Sequence, residues 1–390
     1  MSEPSPPLQP ATRAITAGRE HSGRSLAPVL WASSTWQSAD MTDARRRATG
    51  VRSGEFYGRY ANPTVTSFED AVAQLEGAES ALAFASGMGA ISTVVLALCG
   101  AGDHIVAQRQ LYSATLAFLQ GPCARFGIDV TFVDGTEPGA FAAAVRPGRT
   151  VLVVAETPSN PLLEIVDLAA LGALRGPIVM VDSTFATPLG QRPLEHGVHL
   201  SLHSATKGIA GHNDATLGVV SGERDLIDAI WGYSVLHGAT PSPFDALNAL
   251  RGIRTLAVRT RHQAESALRI ARALQQHPAV VAVHHPGLDS HPQHALAARQ
   301  MEHFGTVLAI ELSGGRAAAE HLLAHLRLAR VATSLGGPET LVCHPRSTTH
   351  ASLTDAEAVE QGVSEGLLRI SVGLEDPGDV LADLTAALRG

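Results

Sequence analysis

The sequence predicts an α/β protein, with a mostly parallel sheet covered by helices on both faces and a smaller α+β unit after it. Three observations carry this. From about residue 66, short β-rich apolar runs alternate with Ala- and Leu-rich stretches. Small and polar residues stand directly after those runs, where an open parallel sheet binds ligands. The chain, at 390 residues, is also too long for one compact core.

Taken in order, residues 1–60 are rich in Pro, Ser, Thr and Arg with little periodicity and read as an extended arm, which needs a surface to lie on. The apolar runs follow: ALAFAS (81–86), HIVAQ (104–108), VTFVD (130–134), TVLVVAE (150–156), IVMVD (178–182) and LSLHS (200–204). Apolar residues then recur every three to four positions over 246–277, which predicts a long amphipathic helix bridging two domains. TVLAIELSG (306–314), ARVATSLG (329–336) and LLRISVGLE (367–375) supply strands of the second layer. The predicted division is an arm over 1–60, a large domain over 61–250 and a C-terminal domain over 251–390.

Composition narrows the function. Hydrophobic residues make up 45% and the formal net charge is -8, with no basic stripe, so neither nucleic acid nor an anionic membrane is an expected partner. The N-terminus MSEPSPPLQPATRA has no charged-then-apolar signal pattern, and no run reaches the roughly 18 apolar residues a bilayer span needs, so the protein is expected in the cytoplasm. Cys99, Cys123 and Cys343 lie far apart without metal-ligand spacing and read as buried free thiols. The histidine-rich run 277–294 lacks the Cys or carboxylate spacing that would complete a metal site.

Among 29 Lys and Arg residues, Lys207 is the only lysine. An Arg replaces a Lys as a surface charge but not as a Schiff-base nucleophile, because a guanidinium does not deprotonate. Lys207 sits in LHSATKGIAGHND, just after an apolar run and between hydroxyls and glycines. The first run is followed by SGMGAIST (86–93), whose small residues open a helix and leave backbone N–H groups for an anion. Asp182 follows an apolar run directly, where a buried carboxylate needs a cationic partner such as a protonated pyridine nitrogen. Ser204 and Thr206 flank the lysine with hydroxyls suited to a phosphate. A lysine, a carboxylate, hydroxyls and a helix N-terminus in these places are what pyridoxal phosphate requires.

Motifs along nearly the whole chain resemble the Cys/Met-metabolism (trans-sulfuration, cystathionine γ-synthase-like) family of fold-type I pyridoxal-phosphate enzymes. They are YGRYANPT (57–64), SGMGAI (86–91), LYSAT (111–115), ETPSNP (156–161), VDSTFATP (181–188), SATKGIAGHND (204–214), SLGGPETLVCHP (334–345) and LLRISVGLED (367–376). The resemblance implies a seven-stranded sheet and gives each residue a role. Lys207 would form the Schiff base. Tyr57 and Arg59 would reach into a neighbouring subunit and bind its cofactor phosphate, with Tyr57 also assisting departure of the leaving group. Gly87 and Met88 would donate backbone N–H groups to that phosphate, joined by the hydroxyls of Ser204 and Thr206. Tyr112 would stack on the pyridine and move protons, Asp182 would keep the ring nitrogen protonated, and Asn160 would contact the phenolic oxygen or the substrate carboxylate. Arg369, assisted by Ser334, would clamp that carboxylate.

The implied activity is γ-elimination or γ-replacement on homoserine- or homocysteine-derived amino acids by a homo-oligomer, a dimer of dimers. Three positions depart from common patterns: Thr333 where cystathionine-handling members have Glu, Ala114 where methionine γ-lyases have Cys, and Gly208 where an aromatic usually follows the lysine. A cystathionine γ-synthase/lyase or O-acylhomoserine sulfhydrylase type is therefore favoured over a strict methionine γ-lyase. A secondary-metabolism enzyme using a carbon or nitrogen nucleophile and a non-catalytic cofactor-binding regulator stay open.

Overall fold

The computed structural model describes residues 8–389. Residues 1–7, the start of the predicted arm, lie outside the described residues. Seven strands form the larger sheet: β1 (Ser80–Phe84), β2 (His104–Gln108), β3 (Asp129–Val133), β4 (Thr150–Glu156), β5 (Ile178–Asp182), β6 (Leu200–His203) and β7 (Gly218–Gly222). Their spatial order is β1-β7-β6-β5-β4-β2-β3, and only β7 runs antiparallel to its neighbours. Side chains alternate across the sheet. Ile105, Leu152, Val154, Met180 and Leu200 meet the helix Gly87–Leu98, while Val106, Val153, Val179 and Val181 pack against Leu168 and Leu171 on the other face. Burial on both faces explains why these strands read as continuous apolar runs.

The second sheet contains β8 (Val280–His284), β9 (Val307–Leu312), β10 (Arg330–Val331), β11 (Leu341–Cys343) and β12 (Leu367–Ser371), in the order β10-β11-β12-β9-β8. The helix Pro243–Leu274 connects the two layers, starting at a Ser242 cap with Pro243 in its first turn. Its early residues Ile253 and Leu256 join the core beneath the large sheet, and Ile270 and Leu274 join that of the small one. The expected boundary at 250/251 thus falls inside one continuous helix.

Several expectations need correction. The region 1–60 is not uniformly extended. Residues Pro10–Thr16 and Met41–Thr49 are helical, and Ala14 and Ala17 are buried with Phe68 and Ile253 of the same chain, because small apolar side chains let the segment lie flat on its own core. Strand β7 was not anticipated, since GVVSG is short and bounded by glycine. β8 was hidden among histidines and β11 within a polar motif. Of the predicted run 329–336 only Arg330–Val331 is strand; the chain then turns irregular, with Ser334 at φ 80.

The long helix comes very close to the loop after Lys207. A Cβ on Gly252 would lie 2.1 Å from the carbonyl oxygen of Ala210. Alanine is worth about 1 kcal/mol over glycine inside a helix, but this collision is with backbone that cannot swing aside. Gly252→Ala is therefore expected to destabilise the protein by about 1–3 kcal/mol, seen as a lower thermal unfolding midpoint. An unchanged or higher midpoint would contradict the packing described.

Candidate active site

The carboxyl ends of β4, β5 and β6 open into a cleft of ≈ 360 Å³ lined by residues of both sheets, among them Gly87, Met88, Tyr112, Glu156, Asn160, Asp182, Ser204, Thr206, Lys207, Thr333, Ser334 and Arg369. The large sheet brings the lysine and the carboxylates, and β12 of the small sheet brings the arginine.

Lys207 Nζ donates to Ser334 Oγ at 2.9 Å. Arg369, 3% exposed, donates through Nη1 to Asn160 Oδ1 at 2.8 Å and through Nη2 to the carbonyl oxygen of Ser334 at 3.0 Å. One serine thus links the amine to the guanidinium. Burial lowers the pKa of Lys207 and the nearby Arg369 cation lowers it further, which favours a free amine. Arg369 is held by neutral acceptors alone among the described residues, so a substrate carboxylate is the counter-ion it lacks.

Asp182 ends β5 and accepts through Oδ1 from both the N–H and the hydroxyl of Thr184, while Oδ2 takes no hydrogen bond from the described residues. Burial pushes its pKa up, against the pull of the Thr184 bonds. The Thr184 hydroxyl also accepts from Ser204 N at 2.8 Å, which ties the strand carrying the carboxylate to the turn carrying the lysine. Glu156 stands beside Asp182 in the β4–β5 register. Burial and then Asp182 raise its pKa well above its ordinary value, against the backbone N–H bonds of Tyr112 and Asn160 and the Arg369 charge.

The helix Gly87–Leu98 starts at Ser86, whose hydroxyl accepts from Gly89 N at 3.0 Å, leaving the N–H groups of Gly87 and Met88 without an acceptor among the described residues. A Cβ on Gly87 would sit 2.9 Å from Ser204 Cβ, so only glycine lets this helix end and the Ser204 hydroxyl approach so closely. The Thr206 hydroxyl donates to the carbonyl oxygen of Leu217 and accepts from its N–H. Gly208 packs equally tightly: a Cβ there would lie 2.9 Å from Thr187 Cγ2, and one on Gly336 would lie 2.6 Å from Gly208 N. A side chain in place of Gly208 would therefore meet Thr187, while the Gly208 backbone is what the small-sheet loop approaches at Gly336.

Tyr57 and Arg59 are not brought to the cleft of their own chain. Tyr57 is 43% exposed, and Arg59 Nη1 donates to the carbonyl oxygen of Val235 with its guanidinium 5.5 Å from the ring centroids of Tyr57 and Tyr60. Sequence reasoning missed Glu156, Thr184, Phe185 and Thr349 of the cleft lining. Glu156 follows an apolar run as directly as Asp182 does, which is the signal that could have found it; Thr184 carries none beyond its place in VDSTFATP, and Thr349 lies outside every motif.

A family model described as Cys/Met metabolism PLP-dependent enzyme matches residues 11–389. The chain belongs to this family. As a member it is a PLP-dependent enzyme of amino-acid metabolism, and its two sheets have the fold-type I arrangement. It is 43% identical to an L-methionine gamma-lyase of Porphyromonas gingivalis over 97% of this chain and 96% of the relative. It is 38% identical to an O-succinylhomoserine sulfhydrylase of Pseudomonas aeruginosa, over 97% and 94% respectively. A solved cystathionine gamma synthase from Xanthomonas oryzae pv. oryzae, in complex with aminoacrylate and cysteine, superposes with a TM-score of 0.92 at 38% identity, covering 98% of both chains.

The cleft fits the family's cofactor on its own geometry. Free N–H groups and the Ser204 hydroxyl converge where a phosphate would lie, Asp182 keeps one oxygen for a ring nitrogen, and Lys207 reaches the same cavity. The lowered Lys207 pKa has a measurable consequence in the apoprotein. Its unfolded amine binds a proton that the folded amine resists, so wild-type stability rises with pH between the depressed folded pKa and the ordinary 10.5. Lys207→Met removes that titration. The stability of this variant relative to wild type should fall as pH rises towards 10.5, read from thermal midpoints; a constant difference would mean that the amine is not perturbed.

Proposed function

We propose that this enzyme catalyses γ-elimination or γ-replacement on homoserine- and homocysteine-derived amino acids. The observation that carries the reading is the Ser334 link between Lys207 and Arg369, which spaces an amine and a carboxylate clamp for one α-amino acid. Pyridoxal phosphate, when bound, supplies the electron sink that makes the α-proton removable. Arg369 binds the α-carboxylate bidentately, with Asn160 and Ser334 holding its plane. Lys207, as a free amine, would take the proton from Cα and would give that proton up before taking a second from Cβ, so that the γ-substituent can leave with its bonding electrons. Tyr112, or Tyr57 of a neighbouring subunit, gives the leaving group its proton. Uptake of a thiol completes replacement, and uptake of water releases a 2-oxo acid and ammonia.

Gly87, Met88 and Ser204 hold the phosphate in this reading, and Thr206 joins by turning its hydroxyl hydrogen away from Leu217. Asp182 keeps the ring nitrogen protonated. The division into arm (1–60), cofactor domain (61–250) and C-terminal domain (251–390) is proposed with it, as is a cytoplasmic dimer of dimers. The outward position of Tyr57 and Arg59 supports sites shared between chains. Methionine γ-lyase remains a second reading, favoured by 43% identity to a relative of that name against 38% for the sulfhydrylase.

Thr333, at the cleft edge, offers no carboxylate to the distal ammonium of cystathionine, a contact worth about 1.5–3 kcal/mol. Compact uncharged γ-substituents should therefore be accepted at least as well as cystathionine. The purified holoenzyme is expected to release 2-oxobutanoate from O-acylhomoserines, methionine or cystathionine, or to form a replacement product when a thiol is present. Pyruvate from cysteine or cystathionine with no γ-product from any of them would make it a β-lyase.

Shared sites predict complementation. Arg59→Ala and Lys207→Ala should each be inactive, and mixing them should restore part of the activity through hybrid sites. No recovery despite subunit exchange demonstrated by mass labelling would place Arg59 outside the site.

A further inference from the structure

Glu156 has no part in the chemistry above, yet it is buried at the centre of the site, 4% exposed. Its Oε2 accepts from the backbone N–H of Tyr112 at 2.8 Å, and its Oε1 accepts from the backbone N–H of Asn160 at 2.9 Å. Those two residues come from different loops, after β2 and after β4. Asn160 passes the contact on, because its side-chain oxygen accepts from Arg369. The base of Glu156 is itself fixed, since its own N–H donates to Gln108 Oε1 at 2.9 Å.

We infer that Glu156 is a positioning residue that sets, through these two N–H groups, both the ring-stacking Tyr112 and the Asn160–Arg369 carboxylate clamp. The inference rests on the roles proposed above for Tyr112, Asn160 and Arg369. Both carboxylate oxygens accept from backbone N–H groups, and these two bonds, with the Arg369 charge, pull its pKa down against burial and Asp182 and so favour the form that accepts at both ends. Glutamine of the same shape offers one carbonyl oxygen and one NH₂, so one backbone N–H would face another donor. The loops carrying Tyr112 and Asn160 would then no longer share a single anchor. Asp182 needs no such help, since Thr184 already orients it.

The test reads cofactor and substrate separately. Apoprotein of wild type and Glu156→Gln is titrated with pyridoxal phosphate and followed by induced visible circular dichroism. The loaded proteins are then assayed for KM and kcat with an amino acid that wild type accepts. A backbone N–H without an acceptor predicts a rise of about ten- to hundredfold in the cofactor dissociation constant and in KM, together with an altered visible dichroism. The Asn160 arm is checked by a double-mutant cycle: in an Asn160→Ala background, Glu156→Gln should raise KM by no more than about twofold. If Glu156→Gln does not accumulate folded, Glu156→Asp is read in the same way, with smaller changes in the same direction. Wild-type values of affinity, dichroism and KM in either variant, or an equal KM effect in both Asn160 backgrounds, would overturn the inference. A wild type that binds cofactor but forms no γ-product would instead count against the proposed reaction, and the cofactor titration would still decide the role of Glu156.

Discussion

Two basic and two acidic side chains are buried in one cleft, and the rest of the structure is arranged to make that tolerable. Lys207 and Arg369 repel each other across Ser334, and Glu156 and Asp182 stand side by side at the ends of adjacent strands. No ion pair joins these basic groups to these acids among the described residues, so Lys207 and Arg369 donate to oxygens of Ser334 and Asn160, and the carboxylates accept from Thr184 and from the N–H groups of Tyr112 and Asn160. Such a cleft is costly when empty of ligand and complementary to a molecule bearing a cationic ring nitrogen, a carboxylate and a phosphate. Unpaired buried charge is in this sense the binding energy for what the site receives.

That arrangement requires two layers. The large sheet places Glu156, Asp182 and Lys207 at the carboxyl ends of β4, β5 and the turn after β6, where parallel strands deliver side chains to a common edge. Arg369 comes from an antiparallel strand of the second sheet and can reach the cleft only because the long helix ties the layers together and glycines remove side chains from the seam. Gly252 lies against Ala210, and Gly336 lies against Gly208. A side chain after Lys207 would start 2.9 Å from Thr187 Cγ2. The glycine there and the close approach of Gly336 belong to one solution.

The large sheet was legible in the sequence where strands are buried on both faces: β2, β4 and β5 begin and end at the residues the apolar runs predict. Strands of a different kind were not. β7 is five residues bounded by glycine and reads as a turn, β8 is masked by histidines, and β11 is three residues long, so its existence is decided by pairing with β12 and not by local pattern. The same distinction runs through the site. Asp182 announces itself because a charge ends an apolar run, and Lys207 because it is the only lysine of the chain. Ser334 gave less, since its use depends on a left-handed backbone turn that presents its hydroxyl to Lys207 and its carbonyl to Arg369.

Glu156 shows that a residue can be marked in the sequence while its contacts are not. Its partners are backbone N–H groups, which every residue except proline carries, so nothing in the identities of residues 112 and 160 signals the contact. Only the fold brings the starts of two loops to the end of one strand. Side-chain chemistry is written in the sequence position by position, whereas backbone chemistry appears only once the chain has closed. A site built on both is legible in its reactive groups and hidden in the groups that hold them in place, and the arm extends this to the next level of assembly. Tyr57 and Arg59 are polar groups on a segment with no core of its own, lying away from the cleft of their own chain. In the proposed shared site their purpose depends on a second copy of the chain, as the proposed purpose of Glu156 depends on a second loop.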